Sequence, residues 1–160
     1  DHYAKNKFAD DLGHDIERLT GELKNVLFLE SSDFGEVSRV DVAKVFKTLE
    51  TKMGILIQRK MLTLNLPQET FSILASEKLL SKVFSALLEN AITYANENTI
   101  VDIRCDPITN KVSIRNTIGD EKYLFSSKIG EKMLKRLSIE MGFDYSIAHD
   151  ENYFQIDLVF

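Results

Sequence analysis

Apolar residues in this chain switch between two periods, and the switching leaves few folds open. Leu80, Val83, Phe84, Leu87, Leu88 and Ala91 recur with helical spacing and form a broad stripe. Before it, Leu62, Leu64 and Leu66 alternate with polar residues up to Pro67, and Phe71, Ile73 and Ala75 alternate again. That pattern predicts two strands joined by a Pro-Gln-Glu turn. After the stripe, Ile100 with Ile103 and Val112 with Ile114 predict a hairpin across the turn DPITN, residues 106–110. Ile129, Met133, Leu134, Leu137 and Met141 return to helical spacing, stopped by Gly142, and alternating segments follow at 143–147 and 154–160. Helices interleaved with strand pairs predict an α+β fold, a mixed and largely antiparallel sheet covered by helices on one face.

Upstream, Leu12, Ile16, Leu19, Leu23 and Val26 recur at alternating spacings of four and three, the seam of a coiled coil or helical bundle. One helix cannot bury such a seam alone, so this long helix requires a partner helix. The segment SSDFGE (31–36) has turn residues and marks a boundary. Val42, Val45, Phe46, Leu49, Met53 and Ile57 then predict a second helix, with Asp41 at the amino end where a carboxylate suits the helix dipole.

Bulk properties exclude several classes. A chain of 160 residues, 44% apolar and 28% charged, suits one domain plus an appended element. Its net charge of -5 argues against nonspecific nucleic-acid binding, which needs a basic surface. Cys105 stands alone, so no internal disulfide forms, and its alternation with Ile103 predicts a small buried hydrophobe in a strand. His2, His14 and His149 are scattered and no Cys-x-x-Cys pair exists, which disfavours structural zinc. A glycine-flanked serine elbow is absent. No apolar run approaches the roughly 20 residues that span a bilayer. The opening residue, Asp1, reads as the start of an excised fragment.

The stretch ALLENAITYA (86–95) places Glu89 and Asn90 inside the apolar helix. At 100° per residue, Ala86, Asn90 and either Thr93 or Tyr94 share a face at the edge of the stripe. Asn90 there either faces a neighbouring cavity or sits at the wet margin of an amphipathic helix. The order of elements, with LLENAITYA, VSIRN and KIGEKML in sequence, resembles the catalytic and ATP-binding domain of bacterial sensor histidine kinases, a branch of the gyrase and mismatch-repair ATPase superfamily. The resemblance spans nearly the whole chain and implies a two-layer sandwich. It implies residues 1–33 as a dimerisation helix and linker, the second helix of the dimerisation hairpin, and 34–160 as the ATP-binding catalytic domain.

Carried onto this sequence, the resemblance puts Asn90 in the place of the magnesium ligand and Tyr94 along the nucleotide. Asn116 takes the place of the Asp that reads the adenine amino group, and Gly130 lets the backbone approach phosphate at a helix start. Lys128 either restores positive charge near phosphate or is a solvated surface residue. There are departures. Ala86 replaces a polar residue, Thr93 replaces a Lys that meets phosphate, and only IGDEKYLFSSKI separates Asn116 from Gly130, so the usual nucleotide lid is missing or a stub. The string GHDIERL resembles the phosphoacceptor box, with His14 as acceptor and Asp15 as the activating acid, yet Leu19 lacks the Pro context and Arg18 replaces Thr or Asn. His14 is either that acceptor or an ordinary surface histidine.

The function implied is the cytoplasmic kinase core of a two-component sensor: it binds ATP with Mg and passes the γ-phosphoryl to a histidine, for relay to an Asp of a response regulator. A homodimer through the first helix and an inner-membrane anchor on the parent protein are implied with it. Two alternatives stay open: a catalytically degenerate pseudokinase or docking scaffold of the same fold, and an unrelated α+β interaction module acting through its coiled-coil helix.

Overall fold

The computed structural model describes residues 35–118 and 128–160. Residues 1–34, over which the sequence predicts the long first helix with His14 and Asp15, and residues 119–127 lie outside the described residues. In chain order the elements are β1 (Val37–Asp41), α1 (Val42–Lys52), α2 (Gly54–Arg59), β2 (Thr63–Asn65), β3 (Ser72–Ser76), α3 (Glu77–Tyr94), β4 (Ile100–Asp106), β5 (Lys111–Thr117), α4 (Lys128–Met141), β6 (Asp144–His149) and β7 (Tyr153–Val159).

Five strands form one sheet in the order β2-β4-β5-β7-β6, antiparallel throughout except for the parallel β2–β4 pair. The expected mixed, largely antiparallel sheet is present, and so is the β4–β5 hairpin. Asp106 shapes its turn: Oδ1 accepts from Ile108 N–H at 2.9 Å and Oδ2 from the Thr109 hydroxyl at 2.9 Å. One face of the sheet carries Val101, Ile103, Val112, Ile114, Ile156 and Leu158 into the core, where Val42 and Phe46 of α1 and Leu80, Phe84 and Leu88 of α3 meet them. Cys105 belongs to this buried face, and burial pushes its thiol up to about 11, which suits an unreactive packing residue. The opposite face is polar: Arg104 pairs with Asp102 at 2.8 Å, and the Arg115 guanidinium lies 4.0 Å from the centre of the Tyr153 ring.

Three expectations need correction. First, β1 is a strand that apolar spacing does not predict; it pairs antiparallel with β3 in a separate two-stranded sheet whose outer side leaves Val37 and Leu74 about 70% exposed. Second, the strands around Leu64 and Ile73 are not a hairpin. β2 joins β4 in the large sheet while β3 joins β1, because alternation fixes a strand's faces and says nothing of its neighbour. Third, the helix expected over residues 42–57 breaks at Met53. Gly54, the poorest helix former after proline, starts α2, none of whose residues is buried.

Asp41 joins β1 to α1. Its Oδ1 accepts from the Thr70 hydroxyl at 2.7 Å and from Lys44 N–H at 3.2 Å, the side-chain cap of the helix. These bonds, Thr70 first, hold the carboxyl below its ordinary value, against the opposing effect of burial. Asp41→Ala is therefore expected to cost about 1 kcal/mol near neutral pH. A lowered folded-state pKa means that the carboxylate's contribution is complete above the unfolded value of 3.8 and is lost as pH falls through the folded one. Urea midpoints of wild type and variant should converge below that value. A gap undiminished at about pH 2 would show that charge plays no part.

Candidate functional site

Helix α3 starts from a firm cap. The Ser76 hydroxyl accepts from Leu79 N–H at 3.2 Å, and Glu77 in the first turn complements the helix dipole. Seating Leu80, Phe84 and Leu88 fully in the core turns Ala86, Asn90 and Tyr94 to the margin of the stripe, each half-buried, as the wheel predicts. Thr93 is exposed and its hydroxyl donates back to Glu89 O at 2.8 Å, so it is engaged within its own helix.

Asn116 comes near the end of β5, across which α3 packs. The alternation that points Val112 and Ile114 inward points Asn116 inward too, and it is 2% exposed. Its Nδ2 donates to Thr117 O at 2.9 Å, while Oδ1 meets no donor among the described residues. A dry, unpaired acceptor costs about 1–3 kcal/mol. The bond from Nδ2 fixes which end of the amide is free: the site offers an acceptor to a donor that the described chain does not supply. Lys128 and Gly130 fall in the first turn of α4, where helical N–H groups lack intrahelical partners. The structure thus brings Asn90, Tyr94 and Asn116 to adjoining elements, and fixes Lys128 and Gly130 only by their place in α4. Among the described residues no cluster of His, Cys, Asp or Glu could hold a metal by itself.

A polar network that the sequence reading missed joins the two elements. Asn96 N–H donates to the Thr117 hydroxyl at 3.4 Å, and Asn96 Nδ2 donates to Ile118 O at 3.1 Å. The Thr117 hydroxyl donates to Thr99 Oγ1 at 2.9 Å, and the Thr99 hydroxyl to Asn96 O at 2.6 Å. Lys60, from the end of α2, donates from Nζ to the carbonyls of Ile92 (3.0 Å), Thr93 (2.7 Å) and Ala95 (2.7 Å). Burial lowers its pKa, partly offset by Glu97. One sequence signal hinted at Lys60: the last turn of α3 has no basic residue of its own to meet its carbonyls.

No protein-family model matches the chain, and no curated protein matches it either. Solved structures do match. The cytoplasmic segment of the histidine kinase QseC aligns with a TM-score of 0.69 at 15% identity, over 91% of this chain and 93% of that one. The histidine kinase ThkA in complex with the response regulator TrrA aligns with a TM-score of 0.69 at 18% identity, over 95% of this chain and 49% of that one. Full-length ShkA in complex with AMPPNP aligns with a TM-score of 0.61 at 16% identity, over 93% and 37%. No helix among the described residues is long and apolar enough to cross a membrane. Likenesses at such identities establish a fold, and the fold of this chain is that of histidine kinase catalytic domains.

Proposed function

We propose that the chain is the kinase core of a two-component sensor histidine kinase, which binds ATP with magnesium and supports phosphoryl transfer to a histidine for relay to an Asp of a response regulator. The observation that carries this is the buried, unpaired Oδ1 of Asn116, an acceptor on the strand against which the helix bearing Asn90 and Tyr94 packs. An exocyclic amino group such as adenine's supplies the missing donor, and the amide orientation fixed by Thr117 disfavours a base that presents a carbonyl there. The half-buried Asn90 offers an amide oxygen, a ligand type that suits a hard cation shared with phosphates. Tyr94, one turn on, gives a flat flank for the nucleotide. The start of α4, with Lys128 and Gly130, supplies N–H donors for phosphate. Magnesium, when bound, neutralises charge on the phosphates; the chain's own part is positioning.

The AMPPNP complex of ShkA and the regulator complex of ThkA support the nucleotide and the partner respectively, each as a property of that protein. Residues 1–33 serve as the dimerisation helix and linker and 34–160 as the ATP-binding domain; His14, followed by Asp15, is either a phosphoacceptor or an ordinary surface histidine, and the second-helix match of 1–33 places the acceptor histidine on a helix upstream of it. Calorimetric titration with AMPPNP and magnesium tests the reading. Wild type should bind saturably, and Asn90→Ala should bind at least about tenfold more weakly, with the magnesium dependence gone. No binding by the wild type at millimolar nucleotide would sink the kinase reading and leave a docking scaffold of the same fold.

A further inference from the structure

We infer that Lys60 is a positioning residue: its ammonium latches the last turn of α3 so that Asn90, Tyr94 and Asn116 keep a common register. The last carbonyls of a helix have no intrahelical donors and carry the negative end of its dipole. In α3 the N–H of the C-cap, Ala95, answers Ala91 O at 3.0 Å, but that cap is extended and the last turn holds no cation for the carbonyls beyond. Lys60 reaches in from 32 to 35 residues earlier. An ammonium has three N–H donors, and here each finds a carbonyl, at Ile92, Thr93 and Ala95. The acceptors bracket Tyr94 and lie within the turn that follows Asn90.

The backbone of Lys60 is tied to the same loop, since its carbonyl accepts from Asn98 N–H at 3.0 Å. Met61 then takes φ +51°, a left-handed conformation that costs a side-chain-bearing residue roughly 1–2 kcal/mol. This turn sends the chain at once into β2, where Thr63 N–H donates to Thr99 O at 3.0 Å. Strain is tolerated there in a turn that keeps Lys60 against α3. From Ala95 the contacts continue through Asn96 to Thr117, whose carbonyl holds the Asn116 amide. Lys60 therefore touches one end of a run of contacts that reaches, through the Asn96 peptide and then the hydroxyl and carbonyl of Thr117, the side chain that carries the unpaired acceptor.

The functional consequence rests on the nucleotide reading; the latch itself can be read without nucleotide. The test is ¹⁵N–¹H NMR of the Asn90 and Asn116 side-chain amides in the full chain, ligand-free, for wild type, Lys60→Met, Lys60→Gln and, as a control destabilised elsewhere, Val42→Ala. Both amides are expected to shift in Lys60→Met, to shift less in Lys60→Gln, which keeps two donors, and to stay in place in Val42→Ala. AMPPNP with magnesium should then bind Lys60→Met about fivefold more weakly than wild type. Unmoved amides in Lys60→Met overturn the inference, as do unmoved amides in Lys60→Gln should the Met variant not fold. Equal shifts in Val42→Ala overturn it too, since Lys60 would then act through general stability. Shifted amides in a chain whose wild type binds no nucleotide uphold the latch and defeat the nucleotide reading.

Discussion

Phe84→Ala is expected to cost about 3–5 kcal/mol of unfolding free energy. Phe84 is fully buried on α3 and stacks on Phe46 of α1, with ring centres 4.5 Å apart and planes 21° from parallel. The edge of Phe160 meets it at 6.1 Å and 90°. Phe160 in turn touches Phe71 and Phe143, so the Phe84 ring joins α1 to α3 and, through Phe160, links them to residues beside β7, β3 and β6. Removing it forfeits the transfer energy of the ring and leaves a void that helices anchored elsewhere cannot close. Domains of this size are stable by about 5–15 kcal/mol, so the variant should melt at much lower urea with an unchanged slope. Phe84→Leu keeps most of the volume and should lose under about 2 kcal/mol. A loss below that for Phe84→Ala would mean the two helices are held mainly by the aliphatic contacts around the ring.

The same residues show what the sequence could and could not disclose. Phe84 was legible because a buried helix face repeats every three or four positions, and α3 buries eight residues along that face. The β4–β5 hairpin and the stop at Gly142 were legible for local reasons: an Asx-type turn at Asp106, and a glycine at φ +74° whose N–H closes on Ser138 O at 2.9 Å. β1 was hidden because its two-stranded sheet is half open. It buries Val40 but exposes Val37, so its apolar residues fall three apart and mimic the start of a helix. The break at Met53 was hidden for the opposite reason, since Met53 and Ile57 keep helical spacing across it.

The site divides along the same line. Asn90 and Tyr94 announce themselves as polar or aromatic residues at the edge of an apolar stripe. Asn116 is visible as an amide on the inward register of an alternating strand, though only the structure reveals that one of its two polar atoms goes unpaired. Lys60 has no local signature: it is one of several basic residues near a helix end, and its partners are 32 to 35 residues away. Contacts of that range depend on how β2 enters the sheet, and its parallel pairing with β4 is the feature that alternation cannot encode.

Asn116→Asp should turn the quiet cost at this position into one that depends on pH. A carboxylate placed there loses the Nδ2 donor, faces the Thr117 carbonyl that the amide had satisfied, and is held where wild type is 2% exposed. Burial without a cation raises a carboxyl's pKa, by as much as 3–5 units in fully buried cases. The folded value then lies above the unfolded one of about 3.9. Below the unfolded value both states are protonated and the variant should be nearly as stable as wild type. Above it, the unfolded state ionises first and stability falls by about 1.4 kcal/mol per pH unit until the folded value is passed. Because Asn116 itself does not titrate, the gap between wild type and variant isolates the effect, reaching about 3–4 kcal/mol near pH 7 in denaturant titrations. Adenine nucleotide with magnesium provides a donor for the new carboxylate, so the rise in melting temperature on adding AMPPNP should be larger for the variant than for wild type. A gap that stays flat between about pH 4 and 8 would mean water reaches this atom freely. In that case the free Oδ1 is solvated rather than waiting for a base, and the observation on which the nucleotide reading rests is lost.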